Sequence, residues 1–129
     1  LEMEYDALPM SVFTEPEYAA VGLSDEEAKD RGIAVRTGIY LLQANGRAIG
    51  LDSVEGMIKI IAGPGGRIVG AHILAPFASE MIAEVALAVR KGLTLADLGT
   101  TVHVHPTIAE GIMEASLKAE RKAVRILND

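Results

Sequence analysis

The spacing of hydrophobic and polar positions alternates between strand-like and helix-like along the chain. Residues 10–14 (Met-Ser-Val-Phe-Thr) and 19–23 (Ala-Ala-Val-Gly-Leu) read as two short strands. Pro16, inside Glu15-Pro16-Glu17, separates them because it has no N–H to give a ladder. Ser24 followed by Glu27 is a capping box, which predicts a helix from Asp25, and Gly32 is placed to end it. Val35–Ala44 is strand-like, and Asn45-Gly46 after it is a turn signal. Residues 57–62 and 67–74 flank Gly63-Pro64-Gly65-Gly66 and form the clearest hairpin. Both arms are β-branched and apolar on both faces, which predicts a sheet covered on both sides. The period then becomes helical over 77–91, ending at Gly92. Met81, Ile82, Val85, Leu87 and Val89 leave only a thin polar stripe at Glu80 and Glu84, so this helix is expected to be buried, in part against a partner chain. Thr94-Leu-Ala-Asp97 is a capped turn before Gly99, and 107–127 reads as the last helix. The order of elements predicts an α+β fold with a mostly antiparallel sheet.

Composition narrows the class. A length of 129 residues, half of them apolar, fits one globular domain. Twelve Lys+Arg against 18 Asp+Glu give a net charge of −6, which argues against nucleic acid as a partner. The absence of cysteine excludes a disulfide scaffold, a Cys-ligated zinc site and a thiol nucleophile within these residues. Apolar runs are far short of the roughly 20 residues needed to span a bilayer, and there is no signal-peptide pattern, so a cytoplasmic protein is expected. The chain opens Leu1-Glu2 with its first methionine at Met3, which suggests added residues or a piece of a longer protein.

Candidate chemistry concentrates in residues 101–111, where His103, His105 and Glu110 fall close together. Pro106 pushes His105 out of the helical region, onto the connection into the last helix. Glu110, one turn on, can reach back to that imidazole, fix its tautomer and make it a better general base. Thr107-x-x-Glu110 is also a capping box, so Glu110 is equally explained as a helix cap. A third reading makes His103, His105 and Glu110 metal ligands. His72, mid-strand, reads as a half-buried, hydrogen-bonded histidine. Lys118, Arg121, Lys122 and Arg125, interleaved with Glu114 and Glu120, read as a solvated, ion-paired face. The Gly63–Gly66 run lies between strands and is a turn, not a phosphate loop.

A set of segments in fixed order carries a resemblance. They are Phe13-Thr14-Glu15-Pro16-Glu17, Val21-Gly22-Leu23, Asn45-Gly46-Arg47-Ala48, Glu55-Gly56-Met57-Ile58-Lys59, Ile68-Val69-Gly70-Ala71-His72, Ala78-Ser79-Glu80-Met81-Ile82 and His103-x-His105-Pro106-Thr107-x-x-Glu110. The chain resembles the C-terminal dimerisation domain of the pyridine nucleotide-disulfide oxidoreductases, and within them is most similar to the dihydrolipoamide dehydrogenases. The likeness implies that residues 1–7 are tag-derived or linker residues. It also implies that 8–129 form the interface domain, the C-terminal third of a longer flavoenzyme. The missing FAD- and NAD-binding domains and a redox-active cysteine pair would lie upstream. It further implies a homodimer in which His105, paired with Glu110, serves the partner's active site, with the His105-Pro106 backbone beside the partner's FAD, often through a cis peptide. The isolated chain is then expected to be incomplete and inactive, with no cofactor of its own. A 2-oxoacid dehydrogenase complex with lipoyl domains is an implied partner. The competing reading is a stand-alone dimerisation module without catalysis.

Overall fold

The hairpin expected around residues 57–74 forms the middle of a five-stranded sheet. The computed structural model describes residues 2–121. Its strands are β1 (Met10–Val12), β2 (Glu17–Gly22), β3 (Arg36–Leu41), β4 (Met57–Ala62) and β5 (Ile68–Ala75). They lie in the order β1-β2-β5-β4-β3, and every neighbouring pair is antiparallel. The helices are α1 (Asp25–Asp30), α2 (Gly46–Gly50), α3 (Ala78–Lys91), α4 (Leu95–Thr100) and α5 (Glu110–Ala119).

Local sequence sets most of these ends. Ser24 and Glu27 form the reciprocal capping box at α1, and Thr94 with Asp97 does the same at α4. Gly92 ends α3 in the left-handed region that glycine adopts without a Cβ penalty. At the other end of α3 the cap comes from a distant strand. Glu17 of β2 accepts hydrogen bonds from the Ser79 backbone N–H (3.1 Å) and hydroxyl (2.8 Å). Glu17 therefore belongs to β2, which begins two residues earlier than its apolar run suggests, with Glu17 opposite Ala75.

Two expectations change. Asn45-Gly46 is a helix start, not a hairpin turn. The Asn45 side-chain oxygen accepts from the Ala48 N–H at 2.9 Å, which is what a capping asparagine does. The sheet is covered unequally: on one face it meets the short α1, whose Asp25 bonds Thr37 and Lys59, and the longer helices share the other face. There α3 lies over β2 and β5, and α5 over β3 and β4. Ala19, Val21, Tyr40, Ile58, Ile60 and Ile73 of the sheet meet Met81, Ile82, Val85, Ile112 and Ala115 of the helices in one core. The opposite face leaves Val12, Ile39, Leu41 and Leu74 exposed. Its polar centre is formed by Lys59 and His72, which stand opposite each other. His72 Nδ1 meets the Tyr18 hydroxyl at 2.9 Å, and Lys59 pairs with Asp25. Burial would raise the Asp25 carboxyl, but the Lys59 ammonium and the Thr37 hydroxyl outweigh it and hold its pKa below the ordinary value.

The last helix begins at Glu110, three residues later than the apolar pattern suggests. Its expected course to residue 127, with Lys122 and Arg125, lies outside the described residues. Glu114 does not sit on a solvated face: it is buried. This helix presses directly on the sheet. A Cβ on Gly38 of β3 would stand 1.9 Å from the Ala115 carbonyl oxygen. One on Gly111 would stand 2.5 Å from Ile58 Cδ1 and 2.8 Å from Tyr40 Cδ1. Only glycine permits so close an approach. The position of Glu110, next to Gly111, is thereby fixed relative to the sheet.

Candidate functional site

The segment from Thr101 to Ala109 connects α4 to α5 without strand or helix ladders. Side-chain hydrogen bonds hold it instead. Thr101 Oγ1 donates to the Asp97 carbonyl at 2.7 Å, and Thr107 Oγ1 donates to the Val104 carbonyl at 2.6 Å. The buried Asn45, already capping α2 through its oxygen, donates through Nδ2 to the Thr107 carbonyl at 3.0 Å. Asn45 is thus a site residue that the turn reading of Asn45-Gly46 missed. The His105–Pro106 peptide is cis.

The Glu110 carboxylate makes both of the contacts that the dyad and cap readings call for, one on each oxygen. Oε1 lies 2.8 Å from His105 Nδ1, and Oε2 accepts the Thr107 backbone N–H at 2.9 Å. Only half of a capping box is present, because the Thr107 hydroxyl turns to Val104. Glu110 is buried, its side chain 4% exposed, whereas the His105 side chain is 63% exposed. A carboxylate facing Nδ1 fixes that nitrogen as the N–H donor, and the opposite ring edge carries Nε2 as the proton-accepting nitrogen. The arrangement is that of an imidazole held by one edge and offered by the other.

His103 does not join His105. It turns inward, and its side chain is only 8% exposed. Nε2 lies 2.6 Å from Glu84 Oε1 on α3, and Nδ1 lies 2.8 Å from the Thr101 carbonyl oxygen. Both ring nitrogens therefore face acceptors, which suits the doubly protonated imidazolium. The Glu84 hydrogen bond holds the His103 pKa above the ordinary histidine value, against the opposing effect of burial. Among the described residues no three His, Asp or Glu side chains are grouped to hold a metal ion, so the metal reading of His103, His105 and Glu110 fails on geometry.

A cavity of about 760 Å³ is lined by Tyr5, Leu23, Ile33, Ile68 and Val89 among others, none of them from residues 101–110. An exposed ring on a loop, with Val102 and Val104 exposed beside it, needs a second surface to complete a pocket. The family described as pyridine nucleotide-disulphide oxidoreductase, dimerisation domain, matches residues 8–116. The chain belongs to that family. As a member of these dimerisation domains, it is 46% identical over 127 residues to dihydrolipoyl dehydrogenase 3 of Haloarcula marismortui, covering 98% of this chain and 27% of that protein. It is 43% identical over 122 residues to the dihydrolipoyl dehydrogenase of Thermus scotoductus, covering 94% of this chain and 26% of that protein. The chain thus spans about a quarter of the length of the curated relatives it matches. Among solved structures, LpdA from Mycobacterium tuberculosis superposes with a TM-score of 0.84 at 33% identity, over 88% of this chain and 25% of that one. The flavoprotein disulfide reductase RclA from Escherichia coli superposes with a TM-score of 0.81 at 27% identity, over 84% of this chain and 25% of that one. No helix among the described residues is long and apolar enough to cross a membrane.

Proposed function

We propose that this dimerisation domain is the C-terminal interface domain, residues 8–129, of a dihydrolipoyl dehydrogenase-like flavoenzyme. In this reading it forms a homodimer and lends His105 and Glu110 to the partner's dithiol centre as an acid/base pair. The names of the relatives support the reaction class. The observation that carries the site is the exposed His105 ring tied by Nδ1 to a buried Glu110 carboxylate. The exposed apolar residues Val102, Val104 and Leu87 support a face that a second subunit covers.

The chemistry follows from thiol acidity. A dithiol with pKa of about 8.5 is mostly protonated at neutral pH, yet the thiolate is the nucleophile in disulfide exchange. His105 Nε2 takes the S–H proton. The thiolate then attacks one sulfur of a cysteine disulfide, giving a mixed disulfide while the other cysteine leaves as thiolate. The second thiol, as thiolate, attacks the dithiol sulfur of that mixed disulfide, closing the product disulfide and releasing the second cysteine as thiolate. Glu110 keeps the ring in the reactive tautomer and stabilises the imidazolium so formed. The disulfide, FAD and NAD belong to the domains outside this chain. When bound, FAD and NAD supply the route by which the electron pair leaves the reduced disulfide centre. His105 and Pro106 are both exposed, and by the resemblance their backbone would lie beside the partner's FAD. The glycine-rich Gly63–Gly66 turn joins two strands and has no helix start behind it to cradle a pyrophosphate. The chain alone is accordingly expected to be inactive, and its physiological dithiol would be a lipoyl group on a 2-oxoacid dehydrogenase complex. His105→Gln in the full-length protein is the test. Dihydrolipoamide oxidation should fall about 10²–10⁴-fold with flavin still bound, and unchanged turnover would remove His105 from the mechanism.

A further inference from the structure

We infer that Glu84 and His103 are positioning residues: together they latch the His105-bearing loop onto α3. The inference rests on the acid/base reading of His105. The loop is tied where it leaves α4 by Thr101, and where it meets α5 by Asn45 and Thr107. Between those ties Val102 is 93% exposed and Val104 75% exposed, so neither side chain holds its backbone to the protein. His103 alone in this stretch turns inward and is anchored by both ring nitrogens, to Glu84 and to the Thr101 carbonyl. It stands two residues before His105, so its ties limit how far the backbone leading to His105 can move.

The anchor point is rigid. Glu84 rides on α3 beside the stripe of Met81, Ile82, Val85 and Ala88 that packs into the core. Two charged groups act on His103: Glu84 from α3 in direct contact, and Glu110 from α5 at longer range. The protonated ring satisfies both acceptors. Loss of one proton would leave a nitrogen lone pair facing an acceptor oxygen, and one tie would be lost. The latch is therefore closed while His103 is charged and loosens as it deprotonates.

The test uses the full-length protein and dihydrolipoamide. Glu84→Gln should lower kcat by up to about 100-fold, the scale of an ångström-sized misplacement of a reacting group. KM for the dithiol should change less. The alkaline limb of the kcat profile should move to lower pH, a shift that simple loss of fold stability does not produce. Glu84→Asp should recover part of the rate. Wild-type kcat and pH profile in Glu84→Gln, with His105→Gln inactive, would overturn the latch and leave the acid/base reading intact. Full activity in His105→Gln would instead overturn the acid/base reading. If Glu84→Gln does not fold, ¹⁵N-histidine NMR of the unmutated protein decides. Two protonated nitrogens on His103 near pH 7 support the latch, and a neutral His103 there sinks it.

Discussion

Two histidine–glutamate pairs stand two residues apart on one loop and are built in opposite senses. In the first, His103 is sealed from solvent and Glu84 is partly open. In the second, His105 is open and Glu110 is sealed. The hydrogen-bond lengths differ little, 2.6 and 2.8 Å. What differs is which partner water can reach. A largely buried histidine between two acceptors is biased toward its charged form and becomes a fastener. A sealed carboxylate with an exposed histidine fixes one ring edge and presents the other, the requirement for passing protons. Burial, more than pairing, separates the two jobs.

The widest separation should come from paired substitutions at the two rings. His105→Gln is expected to cut dithiol oxidation by about 10²–10⁴-fold and to cost at most about 1 kcal/mol in denaturant unfolding, because the exposed ring buries little surface. His103→Gln should do the reverse in kind, with a stability loss of about 1–3 kcal/mol. Equal stability losses in urea titrations would erase the distinction. Next comes Glu110→Gln. Glutamine offers one acceptor oxygen where His105 Nδ1–H and the Thr107 N–H each use one. One donor is left facing an amide NH₂, at about 1–3 kcal/mol, and activity should fall with it. Gly111→Ala sharpens the same pair from behind. The added methyl strikes Ile58 and Tyr40, and a loss of about 1–3 kcal/mol is expected by calorimetry.

A smaller effect is pH-linked. The folded pKa of His103 lies above its unfolded value. Its contribution to stability is therefore fully present below about pH 6.5, the unfolded value, and is lost as pH rises through the folded pKa. Chemical denaturation across this window should show that decline, and Glu84→Gln should flatten it. The smallest effect belongs to a pair exposed on both sides. Asp6 and Arg31 lie 3.6 Å apart with both side chains more than half exposed, and Arg31→Ala should shift stability by no more than about 0.5 kcal/mol.

The sequence was informative wherever the cause of a structure is local. Ser24–Glu27 and Thr94–Asp97 cap their helices because partners three residues apart meet at a helix start. The Gly63–Gly66 turn and Gly92 act through backbone freedom that is legible in composition. The contact of His105 with Glu110 was legible as one of two alternatives, for the same reason. Neighbours in space but distant in the chain stayed hidden. Glu84 lies 19 residues from His103, and Asn45 lies 62 residues from Thr107, with no periodicity linking either pair. Asn45-Gly46 misled because asparagine suits a turn and a helix cap equally, and packing against the loop decided for the cap. The apolar strands likewise indicated burial on both faces, but the described chain places α3 and α5 on one face and the short α1 at one end of the other.

The close seating of α5 at Gly38 and Gly111 has a mechanical consequence. At Gly111 the helix start lies directly on the Ile58 and Tyr40 side chains, and further along the Ala115 backbone meets the Gly38 backbone, so α5 has little room to slide or roll. Thermal agitation of the outer loop then reaches the Glu110 carboxylate only weakly. The distance between Oε1 and His105 Nδ1 should vary through motion of the ring alone, so that the pair behaves as a hinged arm on a fixed post.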